Sequence, residues 1–193
     1  MFYIFPRAIA PDVCEQIVKD CKKNVLKKAS INGFDKSSRD DPDIRKTSVN
    51  FIKDKNNKIN ELVWGFLREA NKKLFNYDLE YFQAIQFAEY KNGGFYGWHQ
   101  DSSDIGKSNE VRKLSLTLVL SDPDTFEGGE LQFYNGGRPM QDMGKITGEQ
   151  VTNDIKSHGS VIVFDSRDWH QVKPVVKGTR HSIVCWATGA NFR

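Results

Sequence analysis

One short stretch constrains this chain more than any other. Residues Tyr90 to Asp101 read Y-K-N-G-G-F-Y-G-W-H-Q-D, so a β-prone segment punctuated by glycines ends in a histidine and an aspartate. Because alternate side chains of a strand point to the same face, His99 and Asp101 can reach one metal ion together. An isolated H-x-D pair is weak evidence, since surface His and Asp pairs are common.

A third ligand has to come from another part of the chain. Of the other histidines, His170 fits best because it follows the apolar segment Ser160 to Phe164, where a strand is expected to end. His158 precedes Gly159 and is interpreted as a turn residue, and His181 has the opposite strand parity to Arg180. Two histidines and one carboxylate on one side of a metal are the ligand set of non-haem Fe(II) oxygenases.

The segment after His170 offers a cation for an acidic ligand. Arg180 has a planar guanidinium that matches a carboxylate, so it suits a cosubstrate with a free acid group. Ser182 shares the face of Arg180 and adds a hydroxyl donor. Lys177 and Gly178 are predicted to form a turn that places His170 and Arg180 on neighbouring antiparallel strands.

These residues together resemble the Fe(II)- and 2-oxoglutarate-dependent dioxygenases, and most closely their prolyl 4-hydroxylase-like branch. The motifs that carry the resemblance are Y-x-x-G-x-x-Y-x-x-H-x-D from Tyr90, G-G-E-L from Gly128 and H-x9-R-x-S from His170, within Tyr81 to Ala187. The resemblance implies His99, Asp101 and His170 as the catalytic metal ligands. It implies Fe(II), 2-oxoglutarate and O2 as cofactor and cosubstrates, with ascorbate as a candidate reductant.

The resemblance also assigns residues to 2-oxoglutarate. Arg180 is expected to bind its distal carboxylate, with Ser182 as a further donor. Tyr90 is expected to hydrogen-bond it, as the matching tyrosine does in prolyl hydroxylase relatives. Leu131 falls where relatives place an apolar wall.

Periodicity divides the chain into a helical flank, residues 1–80, and a β core, residues 81–193. The flank carries a short strand at Phe2 to Phe5, a helix from Pro11 through Val25 and Leu26, a strand Arg45 to Ile52 and a second helix Asn57 to Phe75. The predicted core strands are Tyr81 to Tyr90, Phe95 to Gln100, Lys113 to Leu120, Glu130 to Tyr134, Ser160 to Phe164, Trp169 to Val176 and Arg180 to Ala187, with another within Gly148 to Lys156. We expect one domain of residues 1–193, mainly β with flanking helices. The resemblance selects a double-stranded β-helix (jelly-roll, cupin-like) core.

Parity within Lys113 to Leu120 predicts which side chains line the cavity. Four leucines share one face and suit contact with the helices. The smaller side chains of Ser115, Thr117 and Val119 share the other face and suit a ligand-filled barrel, so Thr117 is a candidate cosubstrate contact.

Composition excludes some partners. A net charge of +3, from 28 basic and 25 acidic residues, does not favour nucleic acid. Nucleic-acid demethylases of the same superfamily usually carry a second arginine six residues after the cosubstrate arginine, where this chain has Trp186. The three cysteines show no pairing pattern and no long apolar stretch occurs, which favours a soluble, reduced, cytoplasmic protein away from membranes.

The implied reaction is hydroxylation of an unactivated C–H bond, coupled to decarboxylation of 2-oxoglutarate to succinate and CO2. Asp101 favours hydroxylation because halogenating relatives lack this carboxylate. A prolyl residue of a peptide or protein is the leading substrate. The alternatives are a free amino acid or other small molecule, and a jelly-roll binding module without catalysis. The polar loops Ile31 to Ile44 and Ser102 to Arg112 are expected to close over substrate, or to be plain surface loops.

Overall fold

The computed structural model describes residues 1–29, 31–32, 38–39, 41–52, 58–102, 110–135, 138–139 and 153–191. Within these ranges, two antiparallel sheets enclose an apolar interior, and helices cover the outer face of the larger sheet. The prediction of a mainly β chain with flanking helices is therefore confirmed. Strands and helices are numbered below in chain order.

Two helices form the flank. Helix α1 (Pro11–Cys21) has proline in its first turn, where the missing N–H costs no hydrogen bond. It ends at Cys21, before the predicted Val25, whose side chain is 81% exposed. Helix α2 (Lys58–Ala70) continues into one π-helical turn (Asn71–Phe75), which ends at Asn76 in the left-handed conformation.

The larger sheet contains nine of the described strands. Its main path is β1 (Phe2–Phe5), β14 (Val161–Asp165), β10 (Glu110–Val119), β16 (Val175–Ala190), β8 (Ile85–Lys91), β6 (Ser48–Ile52) and β2 (Lys27–Lys28). Strands β7 (Tyr81–Phe82) and β11 (Phe126–Gly128) also pair with β16.

The smaller sheet contains five of the described strands, in the order β13 (Arg138–Pro139), β12 (Leu131–Asn135), β15 (His170–Val172), β9 (Phe95–His99) and β5 (Arg45–Lys46). A separate pair joins β3 (Ile31–Asn32) to β4 (Ser38–Arg39). The predicted strand Arg45 to Ile52 is divided between β5 and β6, so this segment contributes to both sheets.

Apolar side chains form one core on each face of the larger sheet. The outer core joins the helices to the sheet, and it includes the four leucines of the predicted strand: Leu114, Leu116, Leu118 and Leu120. The inner core lies between the sheets and includes Tyr90 and Val119 from the larger sheet with Leu131 and Phe133 from the smaller one. The parity prediction for Lys113 to Leu120 is confirmed.

The predicted turn at Lys177 and Gly178 is wrong. Strand β16 runs unbroken through both residues. Gly178 has a φ of 76° and lies opposite Phe126 of β11, where a Cβ atom would be 2.2 Å from the carbonyl oxygen of Thr125. The chain instead changes sheets between β15 and β16, around Pro174, which lacks the N–H that continued pairing requires.

The two candidate lid loops fall partly outside the described residues. Residues 33–37, residue 40 and residues 103–109 lie there, so closure over substrate stays a prediction. The described end of the second loop, Glu110 to Arg112, belongs to strand β10. Of the predicted strand Gly148 to Lys156, only 153–156 are described, and they form a helical turn.

Candidate metal centre

His99 and His170 are brought together by strand register. They are direct partners on the antiparallel strands β9 and β15, and their ring centroids lie 4.1 Å apart. Directly opposed residues of an antiparallel pair project from the same face of the sheet, here toward the interior between the sheets. His170 is buried, and His99 is partly buried.

Asp101, two residues after the end of β9, is the third member of the group. Its backbone N–H donates to the carbonyl oxygen of Ser166 at 2.9 Å. Its Oδ1 lies 3.6 Å from Nε2 of His99, and its Oδ2 lies 3.5 Å from Nε2 of His170. One ligand atom from each of the three residues lies within 4.8 Å of the others, which is close enough for one ion to contact all three.

Backbone carbonyls fix both imidazole rings. Nδ1 of His99 donates to the carbonyl oxygen of Gly97 at 2.7 Å, and Nδ1 of His170 donates to that of Asp168 at 2.9 Å. Since a carbonyl oxygen only accepts, each Nδ1 carries a proton, and Nε2 is the nitrogen that each ring presents to a metal. Burial lowers the pKa of His170 to about 4, so this ring is neutral at neutral pH.

Asp101 is held as a carboxylate. Burial by itself raises its pKa, but the facing His170 and His99 outweigh burial and hold the pKa of Asp101 below its ordinary value. The hydroxyl of Ser115 donates to Oδ2 of Asp101 at 2.7 Å and contacts Oγ of Ser166 at 2.9 Å. A hydroxyl pair on β10 and the end of β14 therefore orients this side chain.

The three residues fit a non-haem iron ion. Their donor set is two imidazole Nε2 atoms and one carboxylate, each side chain oriented by a further hydrogen bond, and metal binding takes imidazole in its neutral form. All three lie on neighbouring segments of the smaller sheet, so the protein supplies ligands from one side.

Arg180 lies on the other sheet, opposite Tyr90 in the β16–β8 register. It is 3% exposed, and its Nη1 donates to Oγ of Ser182 at 3.2 Å. Its guanidinium carbon lies 5.4 Å from the centroid of the Tyr90 ring. Burial lowers the pKa of Arg180, and among the described residues no carboxylate forms an ion pair with it. A buried cation without a counter-ion is a site for an anion.

Arg180 lines a cavity of about 200 Å³ together with Leu131 and Val119. Arg180 and Leu131, both predicted from the sequence, thus line the same cavity, and Ser182 and Tyr90 contact the arginine. Thr117 is on the inner face of β10 and is buried, but Val119, one step further along that face, lines the cavity instead.

The other histidines lie away from this group. His181 stacks on Phe87 at 5.5 Å and contacts Glu89 at 3.2 Å. Phe87 belongs to the outer core, so His181 points away from the metal site as its parity predicts. His158 lies in the turn before Gly159, whose φ is 75°.

Sequence reasoning missed two arginines beside the metal group. The guanidinium of Arg45 lies 4.4 Å from the centroid of the Tyr96 ring, which in turn stacks on His99 at 3.5 Å. Arg112 lies 4.0 Å from the ring of Trp186, and its Nη1 is 3.3 Å from the carbonyl oxygen of Asp101. Arg112 falls in a segment predicted as a loop, and strand parity continued back from Ser115 would have put it on the opposite face. The register shift between Arg112 and Leu114 turns it toward Asp101, and no local pattern predicts that shift.

A jelly-roll core with an inward-facing His-Asp-His group defines a class, the non-haem iron oxygenases. Residues 85–188 match the profile of the 2OG-Fe(II) oxygenase superfamily, which is more than half of the chain. The chain belongs to this superfamily.

Curated relatives carry the name PKHD-type hydroxylase. One from Teredinibacter turnerae is 33% identical over 104 residues, which are 52% of this chain and 41% of the relative. Another from Maricaulis maris is 34% identical over 123 residues, which are 63% of this chain and 46% of the relative. The matched part therefore spans less than half the length of these relatives.

Solved structures share the fold at low sequence identity. A Pseudomonas putida prolyl-4-hydroxylase superposes with a TM-score of 0.69 at 20% identity, covering 96% of this chain and 91% of that one. A Trichoplax adhaerens prolyl hydroxylase, solved with a hypoxia inducible factor peptide fragment, gives a TM-score of 0.67 at 17% identity, covering 96% and 82%. The jelly-roll prediction is confirmed by these likenesses.

Two further observations concern cysteine pairing and membrane-spanning helices. All three cysteines, Cys14, Cys21 and Cys185, are buried and unpaired in the described part of the chain. Among the described helices, none has the length and apolar character needed to span a bilayer.

Proposed function

We propose that this chain is an Fe(II)- and 2-oxoglutarate-dependent hydroxylase. One observation carries the proposal: the ligand atoms of His99, Asp101 and His170 converge within 4.8 Å, with both Nδ1 atoms hydrogen-bonded to backbone carbonyls. Membership of the 2OG-Fe(II) oxygenase superfamily supports it. We also propose that residues 1–193 form a single domain, because strands from both halves of the chain share each sheet.

The protein's part in the reaction is to hold ligands and exclude water. His99, Asp101 and His170 would bind the metal, and Ser115 would keep the carboxylate oriented through its hydrogen bond to Oδ2. The metal would supply the O2 chemistry that couples decarboxylation of the oxo acid, to succinate and CO2, to hydroxylation of the substrate. Phe133 and Phe164 pack around His170 and limit the access of water from that side.

Arg180 is proposed to bind the distal carboxylate of 2-oxoglutarate. Its burial makes an unpaired positive charge costly, and an incoming carboxylate would relieve that cost while accepting a bidentate pair of hydrogen bonds. Ser182 and Tyr90 hold the guanidinium from two sides, and Leu131 supplies an apolar wall to the cavity. Thr117, on the inner face of β10, is also proposed as a contact of 2-oxoglutarate.

A peptide or protein is the proposed substrate, with a prolyl residue as the leading target. Two buried donors near the metal group, Nε of Arg45 and Nε1 of Trp186, lack acceptors among the described residues. Buried donors without acceptors are costly, and a peptide carbonyl is a suitable acceptor for each. Structural neighbours described as prolyl hydroxylases, one of them solved with a peptide, are consistent with this choice.

Two alternatives remain to be tested against this proposal. A free amino acid would place its own charged groups near Arg45 and Arg112, whose cationic side chains also suit a carboxylate. A binding module without catalysis would bind peptide and show no turnover. Nucleic acid is disfavoured because Trp186 lies under Arg112 at the position where demethylases carry an arginine.

The test is a turnover screen. The protein is incubated with Fe(II), O2 and 2-oxoglutarate, with and without ascorbate, and succinate is measured over proline-containing peptides, matched peptides without proline, free amino acids and methylated oligonucleotides. Succinate formation that rises only with proline-containing peptides, with a gain of one oxygen in peptide mass, is expected. If only free amino acids stimulated succinate formation, an amino acid would replace the peptide as the proposed substrate. If no succinate formed under any condition, the result would favour a binding module without catalysis.

A further inference from the structure

Glu130 lies between the glycine pair of β11 and the start of β12, and its side chain is only partly satisfied. Its Oε2 is buried and has no hydrogen-bond partner among the described residues. Its Oε1 lies 3.7 Å from Nζ of Lys156, on the helical turn 153–156. Glu130 thus forms an ion pair with a residue from a separate segment of the chain.

Glu130 and Lys156 line the same cavity of about 200 Å³ as Arg180. A carboxylate in the wall of a cavity built to receive an anion raises the free energy of anion binding, because like charges repel at short range. A cation paired with that carboxylate cancels most of the repulsion. The charge of Lys156 therefore acts on the cavity through Glu130 as well as directly.

The positions of the two cations differ. Arg180 is almost fully buried, whereas the Lys156 side chain is 43% exposed and lines the same cavity. Arg180 thus suits direct contact with a carboxylate. Lys156 instead affects the electrostatic potential that an entering dianion meets. This electrostatic contribution to affinity is weakened by salt.

We infer that the Glu130–Lys156 pair sets the affinity for the dicarboxylic oxo acid: Lys156 neutralises Glu130, so that this carboxylate does not offset the charge of Arg180. This inference rests on the proposed function, since it takes the ligand of Arg180 to be 2-oxoglutarate. Lys156 is a positioning and affinity residue, and no reacting atom touches it.

A double-mutant cycle tests the inference. The full chain is loaded with Mn(II) without oxygen, and 2-oxoglutarate is titrated by calorimetry into the parent, Lys156→Gln, Glu130→Gln and the double variant. Lys156→Gln is expected to weaken binding about threefold to tenfold, as suits a partly screened pair of charges. In the Glu130→Gln background the same change is expected to cost about twofold or less. Equal costs in both backgrounds would overturn the inference.

A matched control comes from an ion pair elsewhere on the surface. Lys73, in the π-helical turn after helix α2, pairs with Glu69 at 3.7 Å, and neither residue lines the cavity. Lys73→Gln removes the same charge and should leave the 2-oxoglutarate affinity unchanged. A loss equal to that of Lys156→Gln would show a general effect of net charge and would contradict the proposed pair.

The outcomes separate this inference from the proposed function. If the parent binds Mn(II) and not 2-oxoglutarate, the proposed function fails and the inference fails with it. If the parent binds 2-oxoglutarate and Arg180→Lys weakens that binding, while Lys156→Gln changes nothing, only the inference fails. Thermal unfolding of each variant shows whether the fold is kept, and raising the salt concentration should shrink the effect of Lys156→Gln in a folded protein.

Discussion

His99 and His170 face each other across β9 and β15 with their ring centroids 4.1 Å apart. The pairing is irregular on the next step, because the register shifts between His170 and Val172. A slip of one residue would turn either histidine to the opposite face, so the metal site depends on this register being kept. The bulge that follows His170 is thus part of the site's construction.

Loss of any one of the three proposed ligands should abolish tight metal binding. Alanine at His99, Asp101 or His170 removes a donor that no described neighbour replaces, and the loss of Mn(II) affinity should exceed the roughly 10- to 100-fold typical of outer hydrogen-bond partners. Oxygen-free titration measures it. His158→Ala is the control, and if that variant lost binding while His170→Ala kept it, His170 would not be the third ligand.

Arg180→Lys should weaken 2-oxoglutarate binding and leave Mn(II) binding unchanged. Lysine keeps the charge but loses the planar fork and the hydrogen bond to Ser182, at a cost of about 1.5–3 kcal/mol for a hydrogen bond to a charged group. Two titrations in parallel, one of metal and one of oxo acid, separate the effects. An unchanged 2-oxoglutarate constant would remove Arg180 from the site.

Gly129→Ala should impair the cosubstrate site through the backbone. Gly129 has a φ of 66°, and a Cβ there would lie 2.9 Å from Cδ of Arg180 and 2.9 Å from Cγ2 of Val175. Arg180 must move, so the affinity for 2-oxoglutarate and the melting temperature should both fall. Gly65→Ala is the contrasting variant, since a Cβ at Gly65 meets nothing within 4 Å and alanine favours helix α2 by up to about 1 kcal/mol. Equal effects of the two changes would contradict the role given to Gly129.

Ser115→Ala should lower metal affinity without touching a ligand. It removes the hydroxyl that donates to Oδ2 of Asp101, and outer hydrogen-bond partners of metal ligands are worth roughly 10- to 100-fold in affinity. Mn(II) titration measures the loss, and Ser115→Thr, which keeps the hydroxyl, should recover much of it. Failure of threonine to recover affinity in a folded variant would assign the effect to packing.

Stability should fall as the pH is lowered through the titration range of histidine. Burial lowers the pKa of His181 from its ordinary value of 6.5, so the unfolded chain binds a proton that the folded chain resists. The stability that neutral His181 contributes is therefore fully present above pH 6.5, and it is lost progressively as the pH falls below that value. Melting temperatures of the parent and His181→Gln, compared between about pH 7.5 and about pH 5.5, should show a smaller pH dependence in the variant.

The remaining pH dependence has a second source in His170, whose pKa is also lowered by burial. Glu89 contacts His181, and Lys22 and Lys91 form ion pairs with Glu89. An identical pH dependence in the parent and in His181→Gln would exclude His181 as a contributor.

Local pattern was enough to predict the metal group and the two cores. His99 ends β9 and Asp101 lies two residues beyond it, and the leucines of β10 alternate with small residues, so period-two reasoning predicts their common direction without tertiary information. The superfamily motif then restricts the choice of a third ligand to His170.

Tertiary contacts decided the rest. The turn expected at Lys177 and Gly178 is a reasonable local interpretation, but Gly178 serves the close approach of β11 to an unbroken β16. Similarly, Arg45 and Arg112 reach the metal group from strands whose pairing, β5 with β9 and β10 with β16, is long-range. Propensity contains no information about which strands will be neighbours.

Strand β16 lies inside the larger sheet with partners along its whole length, whereas β15, with three residues, belongs to the smaller sheet. Amide protons of β16 should therefore exchange only on global unfolding, and those of β15 through smaller, more frequent openings. Arg180 thus lies on a strand that is expected to open rarely, and His170 lies on a strand that is expected to open more often. We therefore expect that transient opening at β15 would release a metal held by His170 while Arg180 stays in place, and that such a metal could rebind without refolding of the chain.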